Sequence, residues 1–159
     1  MKTFALTALI AALPMLAAPA FAADEVNVSN GISAGGAPLA AHGVDLVTLV
    51  RDGNPVEGFA NYSATIDGAS YYFTSEENLK EFQAEPARYL PQHGGFCSYG
   101  VAVGKKFDGD PNYAAVVDGK LYVFLNEEIY KMFEKDKAGT ISKAAANWTK
   151  IEHTAAKDL

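Results

Sequence analysis

The stretch Ile66-Asp67-Gly68-Ala69-Ser70-Tyr71-Tyr72-Phe73-Thr74-Ser75-Glu76-Glu77 passes from the pattern of a strand to the pattern of a helix. Aromatic residues on both sides of Asp67-Gly68 predict a β-hairpin, because this dipeptide favours a two-residue hairpin turn. Thr74 is predicted to cap the following helix, with Glu77 bonding back to it. Pro86 should end that helix, because proline lacks the amide hydrogen that a helix interior requires.

The rest of the chain supplies similar elements. Asp118-Gly119 predicts a second hairpin, Asn126 a helix cap, and residues 141–148 a last helix. Residues 44–50 read as a strand, and residues 96–103 as a short helix. We find no internal repeat and no second domain boundary. The expected fold is therefore α+β, a single domain in which short helices pack against a small antiparallel sheet of hairpins.

Residues 1–22 have the features of a secretory signal sequence. Lys2 gives a positive start, residues 4–13 are apolar, and Ala20-Phe21-Ala22 offers small residues for cleavage. The apolar run is shorter than the ~20 residues that cross a bilayer, which predicts a cleaved signal and a periplasmic protein. We expect a flexible arm at residues 23–38, the domain at residues 39–151, and a loose tail at residues 152–159.

The charge of the chain limits its partners. The formal net charge is −6, which disfavours nucleic acid and anionic membrane surfaces because both repel an acidic protein. No later stretch is long and apolar enough to anchor the protein in a membrane. The expected partner is a metal ion or a periplasmic protein, and the sequence leaves the oligomeric state open.

Two stretches resemble a known family. Residues 71–78, followed by Phe82, Glu85-Pro86 and Tyr89-Leu90, resemble the core of a YHS domain. The longer stretch 43–148 is similar to a periplasmic branch of that family, the YHS domain-containing (seleno)proteins. Its matching pieces are Gly43-Val44-Asp45, Gly94-Gly95-Phe96-Cys97-Ser98-Tyr99, Val117-Asp118-Gly119-Lys120-Leu121-Tyr122 and Ala146-Asn147-Trp148.

The chain also departs from the family pattern. Metal-binding YHS domains tend to carry two cysteines where this chain has Thr74 and Asn78, and Tyr72 stands where the histidine of the family name would be. The resemblance therefore implies no thiolate site at this junction of strand and helix. In the periplasmic branch, a glycine pair followed by a cysteine is usual, and that cysteine is Cys97 here. Some relatives place selenocysteine in this chemistry, which implies a redox or soft-metal role.

Cys97 and His93 form the candidate metal site. Cys97 is the one cysteine of the chain, so it cannot close a disulfide within its own molecule. If a helix begins at Gly95, Cys97 lies in its first turn, where the exposed amides would lower the pKa of the thiol. His93 comes four residues earlier. A thiolate and an imidazole favour a soft ion such as Cu(I), and two donors are too few for a tetrahedral zinc site.

These residues leave three functions open. The first is a domain that binds copper through Cys97 and His93 and stores or transfers it, without catalytic turnover. The second is a thiol redox protein that uses Cys97, and the third is a binding or assembly domain in which Cys97 is only packed. His93 and His42 are expected to be exposed, and Asp45 is a candidate either to orient His42 or to serve as an oxygen ligand.

Overall fold

The computed structural model describes residues 24–159, so the predicted signal sequence lies outside the described part of the chain. Helices and small antiparallel sheets make up one arrangement, and the predicted α+β class is confirmed. The helices are α1 (Leu46–Asp52), α2 (Glu76–Ala84), α3 (Pro86–Tyr89), α4 (Ser98–Ala102), α5 (Glu127–Lys135) and α6 (Lys137–Ile151). The strands are β1 (Phe59–Ile66), β2 (Ala69–Phe73), β3 (Asp110–Val117) and β4 (Lys120–Phe124). None of the helices in residues 24–159 combines the length and the apolar character that a bilayer crossing requires.

Each hairpin forms its own two-stranded sheet, with β1 paired to β2 and β3 paired to β4. Asp67 and Asp118 both adopt left-handed backbone angles, as their predicted turns require. An aromatic pair fixes a helix to each hairpin. The ring centroids of Phe73 and Phe82 lie 4.8 Å apart, and those of Phe124 and Phe133 lie 4.3 Å apart. All four rings are buried, so each hairpin and its helix share a small core.

The strand predicted at residues 44–50 is wrong, because most of this run forms helix α1. The Asp45 carboxylate accepts hydrogen bonds from the backbone N–H groups of Val47 (2.9 Å) and Thr48 (3.2 Å). This cap satisfies N–H groups that have no partner within a helix, and it outweighs the strand preference of the β-branched residues. The predicted cap of α2 is displaced by one residue, since Ser75 rather than Thr74 accepts from the amide of Asn78.

The prediction of no internal repeat is also wrong. Strand β1 begins at Phe59 and β3 begins at Asp110, 51 residues later. Helices α2 and α5 begin at Glu76 and Glu127, with the same separation. Both hairpins carry an irregularity at the same place, four residues into the first strand. The chain therefore builds one supersecondary unit twice, and we call the two copies the first half and the second half.

The repeat extends to the turns that precede α1 and α4. Residues 41–43 have φ between 50° and 79°, and residues 93–95 have φ between 56° and 81°. Three consecutive left-handed residues are uncommon, and Ala41, His42 and His93 adopt this conformation without being glycine. Asp45 caps α1, and Cys97, 52 residues later, caps α4. The two halves thus share their turns and caps as well as their hairpins.

Both terminal segments lie against the domain. The amide of Asn27 donates to the Gly94 carbonyl (2.8 Å), and Val28 forms a bridge to Ala40. Lys106, only 5% exposed, donates from Nζ to the carbonyl oxygens of Asp24, Glu152 and Thr154. These contacts hold the start of the described chain beside its end. The flexibility that we expect for residues 23–38 and 152–159 stays a prediction.

Candidate functional site

Cys97 is an interior residue that caps a short helix. Its Sγ accepts a hydrogen bond from the amide of Gly100 (3.4 Å), and its side chain is 1% exposed. It belongs to a core cluster with Tyr122, Phe124 and Phe133. The short helix predicted around residues 96–103 is present as α4, with Cys97 at its cap position and not within its first turn.

The ionisation of Cys97 differs from the expectation. Burial raises the pKa of the thiol, because a thiolate loses the solvation of water. Backbone N–H groups of Gly100, Leu125 and Tyr99 act in the opposite direction but do not outweigh burial. The lowered pKa expected for this residue is therefore wrong, and the thiol of the metal-free protein is protonated at neutral pH.

His93 is buried, at 8% exposure, where an exposed loop residue was expected. Its Nδ1 lies 3.0 Å from Ser98 Oγ. Its ring centroid lies 6.0 Å from that of Tyr122 and 5.8 Å from that of Trp148. Burial lowers the pKa of His93 to about 4, so the imidazole is neutral at neutral pH. A neutral imidazole is the form that binds metal ions.

The two predicted donors, His93 and Cys97, both lie near Tyr122, but each makes its hydrogen bond to a different group. His93 stacks beside Tyr122, and Tyr122 belongs to the core cluster that contains Cys97. The imidazole is bonded to Ser98, whereas the thiol is bonded to the amide of Gly100. Between them, Phe96 has an extended backbone, so the four-residue spacing is not a helical turn.

The first half has a polar network at the position where the second half has Cys97. Asp45 is fully buried, and its Oδ2 accepts from Thr74 N (2.8 Å), Thr74 Oγ1 (2.7 Å) and Asn78 Nδ2 (2.7 Å). Burial pushes the pKa of Asp45 upward, but the hydrogen bonds from Asn78, Thr74 and Thr48 lower it below its usual value. Thr74 and Asn78 stand where metal-binding relatives tend to have cysteines, so an internal carboxylate network takes that place here.

Asp45 and Cys97 accept from corresponding backbone groups. The amides around Asp45 belong to Val47, Thr48 and Thr74. Those that act on Cys97 belong to Tyr99, Gly100 and Leu125, which lie 51 or 52 residues further along. The same cradle therefore holds a charged carboxylate in the first half and a neutral thiol in the second. Sequence analysis missed it, although Phe73, Glu76-Glu77 and Phe82 recur at residues 124, 127–128 and 133.

His42 pairs with Asp108, so Asp45 does not orient it, which was one of the two roles considered for Asp45. Its Nε2 lies 3.0 Å from Asp108 Oδ1, which also accepts from Asn27 Nδ2 (2.7 Å). Burial acts to raise the pKa of Asp108, but the hydrogen bonds from Asn27 and His42 lower it overall. His153 pairs with Glu25 at 2.6 Å on the surface. Both pairs join residues far apart in sequence, which explains why the sequence did not indicate them.

A thiol and an imidazole, the groups of Cys97 and His93, are donor types that suit a soft ion, but two donors are fewer than many metal sites use. Within residues 24–159, no group of three or more His, Cys, Asp or Glu side chains is arranged to hold a metal ion. The described residues therefore do not supply a tetrahedral zinc site, which takes four ligands. A neutral imidazole and a thiol that loses its proton on binding match the preference of Cu(I) for soft donors.

Comparison with known proteins identifies one part of the chain. No curated protein and no solved structure matches it. The family model described as "YHS domain" matches residues 51–93, from the end of α1 to His93. The match covers the first hairpin, α2 and α3. Over this segment, the chain is similar to a YHS domain.

Proposed function

We propose that this protein is a periplasmic YHS-type domain that binds a soft metal ion, with copper as the first candidate, through Cys97 and His93. It would store or transfer the ion and would not catalyse a reaction. The YHS family is generally associated with metal binding, which supports the general class of function. The assignment to the periplasmic (seleno)protein branch, with export directed by residues 1–22, is part of this proposal.

The observation that carries the proposal is the state of His93. This imidazole is buried, neutral and oriented by Ser98, four residues before the one thiol of the chain. Within the described residues its Nε2 has no hydrogen-bond partner, and no buried side-chain nitrogen or oxygen there is unpaired. Nε2 is therefore not completely buried, and no described residue occupies it, which supports its role as a metal donor.

Binding at Cys97 would require the loss of the thiol proton. The N–H group of Gly100 already donates to the sulfur, and those of Leu125 and Tyr99 also lower the pKa of the thiol, so all three would stabilise the thiolate in a metal complex. Because burial raises the pKa of the free thiol, copper affinity should increase with pH across the neutral range.

A competition for Cu(I) against a colorimetric chelator tests the proposal. We expect the unaltered protein to retain one copper ion, Cys97→Ala to lose retention, and His93→Asn to retain copper more weakly. His153→Asn is the matched control, because it removes an exposed imidazole from a surface pair. Equal retention by the unaltered protein and Cys97→Ala would exclude Cys97 as a ligand.

A binding or assembly domain with Cys97 only packed is the second candidate. Its support is the position of Cys97, which caps α4 in the interior as Asp45 caps α1. In that case copper would not be retained by any variant, and the native thiol would resist labelling. The redox alternative has less support, because the raised pKa disfavours the thiolate that performs such chemistry.

A further inference from the structure

An asparagine followed directly by a glycine, Asn30-Gly31, lies in the N-terminal segment that precedes the first half. No other asparagine of the chain precedes a glycine. The backbone is fixed on both sides of the pair, because the amides of Ser29 and Ser33 donate to the carbonyl groups of Leu39 (2.8 Å) and Ala37 (2.9 Å). The pair itself is exposed between these two hydrogen bonds. The proposed metal site does not use it.

The two groups that could react with each other at this pair are unrestrained. Within residues 24–159, neither the Asn30 side chain nor the Gly31 N–H takes part in a hydrogen bond. A Cβ placed on Gly31 would meet no atom within 4 Å, so the space beside this amide is open. The described structure therefore contains no contact that holds the Asn30 carboxamide away from the Gly31 nitrogen.

The other asparagines, all of which lie within residues 24–159, are protected in ways that Asn30 is not. Hydrogen bonds restrain the side chains of Asn27, Asn78, Asn112, Asn126 and Asn147. Asn54 precedes Pro55, whose nitrogen carries no hydrogen. Asn61 is exposed, but it lies in β1 and the side chain of Tyr62 crowds the nitrogen that would have to react. Asn30 alone combines exposure, an unrestrained carboxamide and a following glycine.

An asparagine that precedes a glycine can cyclise, because glycine has no Cβ to hinder attack by its backbone nitrogen. The Gly31 nitrogen forms a bond to Cγ of Asn30, and the bond from Cγ to Nδ2 breaks. Nδ2 leaves as ammonia with the proton that the Gly31 nitrogen has lost, and a five-membered succinimide ring remains. Water then opens the ring at either carbonyl carbon, which gives aspartate or isoaspartate. No atom is oxidised or reduced, and water is the only co-reactant.

We propose that Asn30 is a modification site, at which the folded protein deamidates spontaneously. Each event adds one negative charge to a chain whose formal net charge is −6. The isoaspartate product also lengthens the backbone by one carbon between the hydrogen bonds of Ser29 and Ser33. The change falls in the segment that connects Asn27, which is bonded to Gly94 and Gly95, with the first half.

The test is a time course of the folded protein in mildly alkaline buffer, analysed by peptide mapping with mass spectrometry, which locates each deamidated residue. A capped peptide of residues 28–34, in which Asn30 is the one asparagine, is the unstructured reference. The variants are Asn30→Gln, whose longer side chain cannot form the five-membered ring, and Asn61→Gln. Asn61→Gln is the matched control, because it removes an exposed asparagine that precedes a tyrosine.

We expect Asn30 to be the first asparagine converted, at a rate within about tenfold of its rate in the free peptide, because no local opening has to precede the reaction. Aspartate and isoaspartate should both appear at this position. Asn30→Gln should lack this main product, and Asn61→Gln should keep it at an unchanged rate. The proposal is overturned if Asn30 reacts more than about tenfold more slowly in the folded protein than in the peptide, since the fold would then protect it. It is also overturned if another asparagine is converted first. None of these outcomes depends on copper binding at Cys97.

Discussion

The side chains of His93 and Cys97 both lie in the interior, and burial moves their pKa values in opposite directions. The imidazole loses its charge on burial, so its pKa falls to about 4. The thiol keeps its proton, so its pKa rises. Both residues are therefore neutral at neutral pH in the metal-free protein. This is a resting state that a soft metal ion would change by displacing the thiol proton.

His93 should make the stability of the protein depend on pH. The pKa is about 4 in the folded chain and about 6.5 in the unfolded chain, so the unfolded state binds more protons between these values. We expect the free energy of unfolding to fall by about 3 kcal/mol as pH falls through this window, and to be steady above it. Urea unfolding at several pH values measures this effect. His93→Asn should remove this component and His153→Asn should keep it, whereas an unchanged slope in His93→Asn would contradict the assignment.

Cys97 should react slowly while the protein is folded. It is 1% exposed and protonated, and the thiolate is the nucleophile. We expect a thiol reagent at neutral pH to label the native protein at least about 100-fold more slowly than the urea-unfolded protein. In the native protein, the reagent reaches the sulfur only when the structure around Cys97 opens locally. Labelling followed by mass spectrometry gives both rates. Similar rates in the two states would show that the sulfur is accessible in the folded protein, and would support the redox alternative.

At the scale of elements, helix caps determine where the short helices begin. Asp45 overrides the strand preference of residues 44–50 and makes a helix. Ser75 and Asn126 do the same for α2 and α5, and both helices carry two glutamates in their first turn, which favours the helix dipole. Helices this short are marginal alone, so caps and packing supply their stability.

Removal of the Asp45 carboxylate should be strongly destabilising. Asp45→Ala leaves the amides of Val47 and Thr48 and the side chains of Thr74 and Asn78 without their acceptor in the interior. We expect a loss of about 3 kcal/mol or more in the free energy of unfolding, measured with urea.

Asp136→Ala is the control for that substitution. Asp136 caps α6 at the surface by accepting from Gly139 N (2.9 Å), and such a cap contributes about 1 kcal/mol. Equal losses for the two variants would show that the buried network around Asp45 adds nothing beyond an ordinary cap.

At the scale of the whole molecule, Lys106 joins the two ends of the described chain. Its ammonium group lies 5.1 Å from the ring centroids of both Phe96 and Trp148, and it donates to carbonyl oxygens from both terminal segments. Residues 24–27 thereby stay on the turn that carries His93 and Gly94. The N-terminal segment therefore packs against the second half, at Gly94 and Gly95.

Lys106→Met should release that segment. Methionine keeps much of the apolar volume but leaves the carbonyl groups of Asp24, Glu152 and Thr154 without their donor. We expect the Asn27 amide to exchange with solvent at least about tenfold faster in hydrogen-exchange NMR, since local opening becomes easier. Lys105→Met, at the neighbouring position, is the control. Unchanged Asn27 exchange in Lys106→Met would show that other contacts hold the segment.

The sequence by itself determined the hairpins, the helices after them and the α+β class, because Asp-Gly turns, alternating aromatics and capping residues act over a few positions. It also indicated the similarity of residues 71–90 to a YHS domain, and the family model matches residues 51–93. Only the tertiary structure decided that residues 44–50 form a helix, that His93 is buried, and that Asp45 and Cys97 hold the same place in two repeated halves. These properties depend on contacts between residues about 25 to 80 positions apart, such as Thr74 with Asp45 and Asn27 with Asp108, which no local pattern encodes.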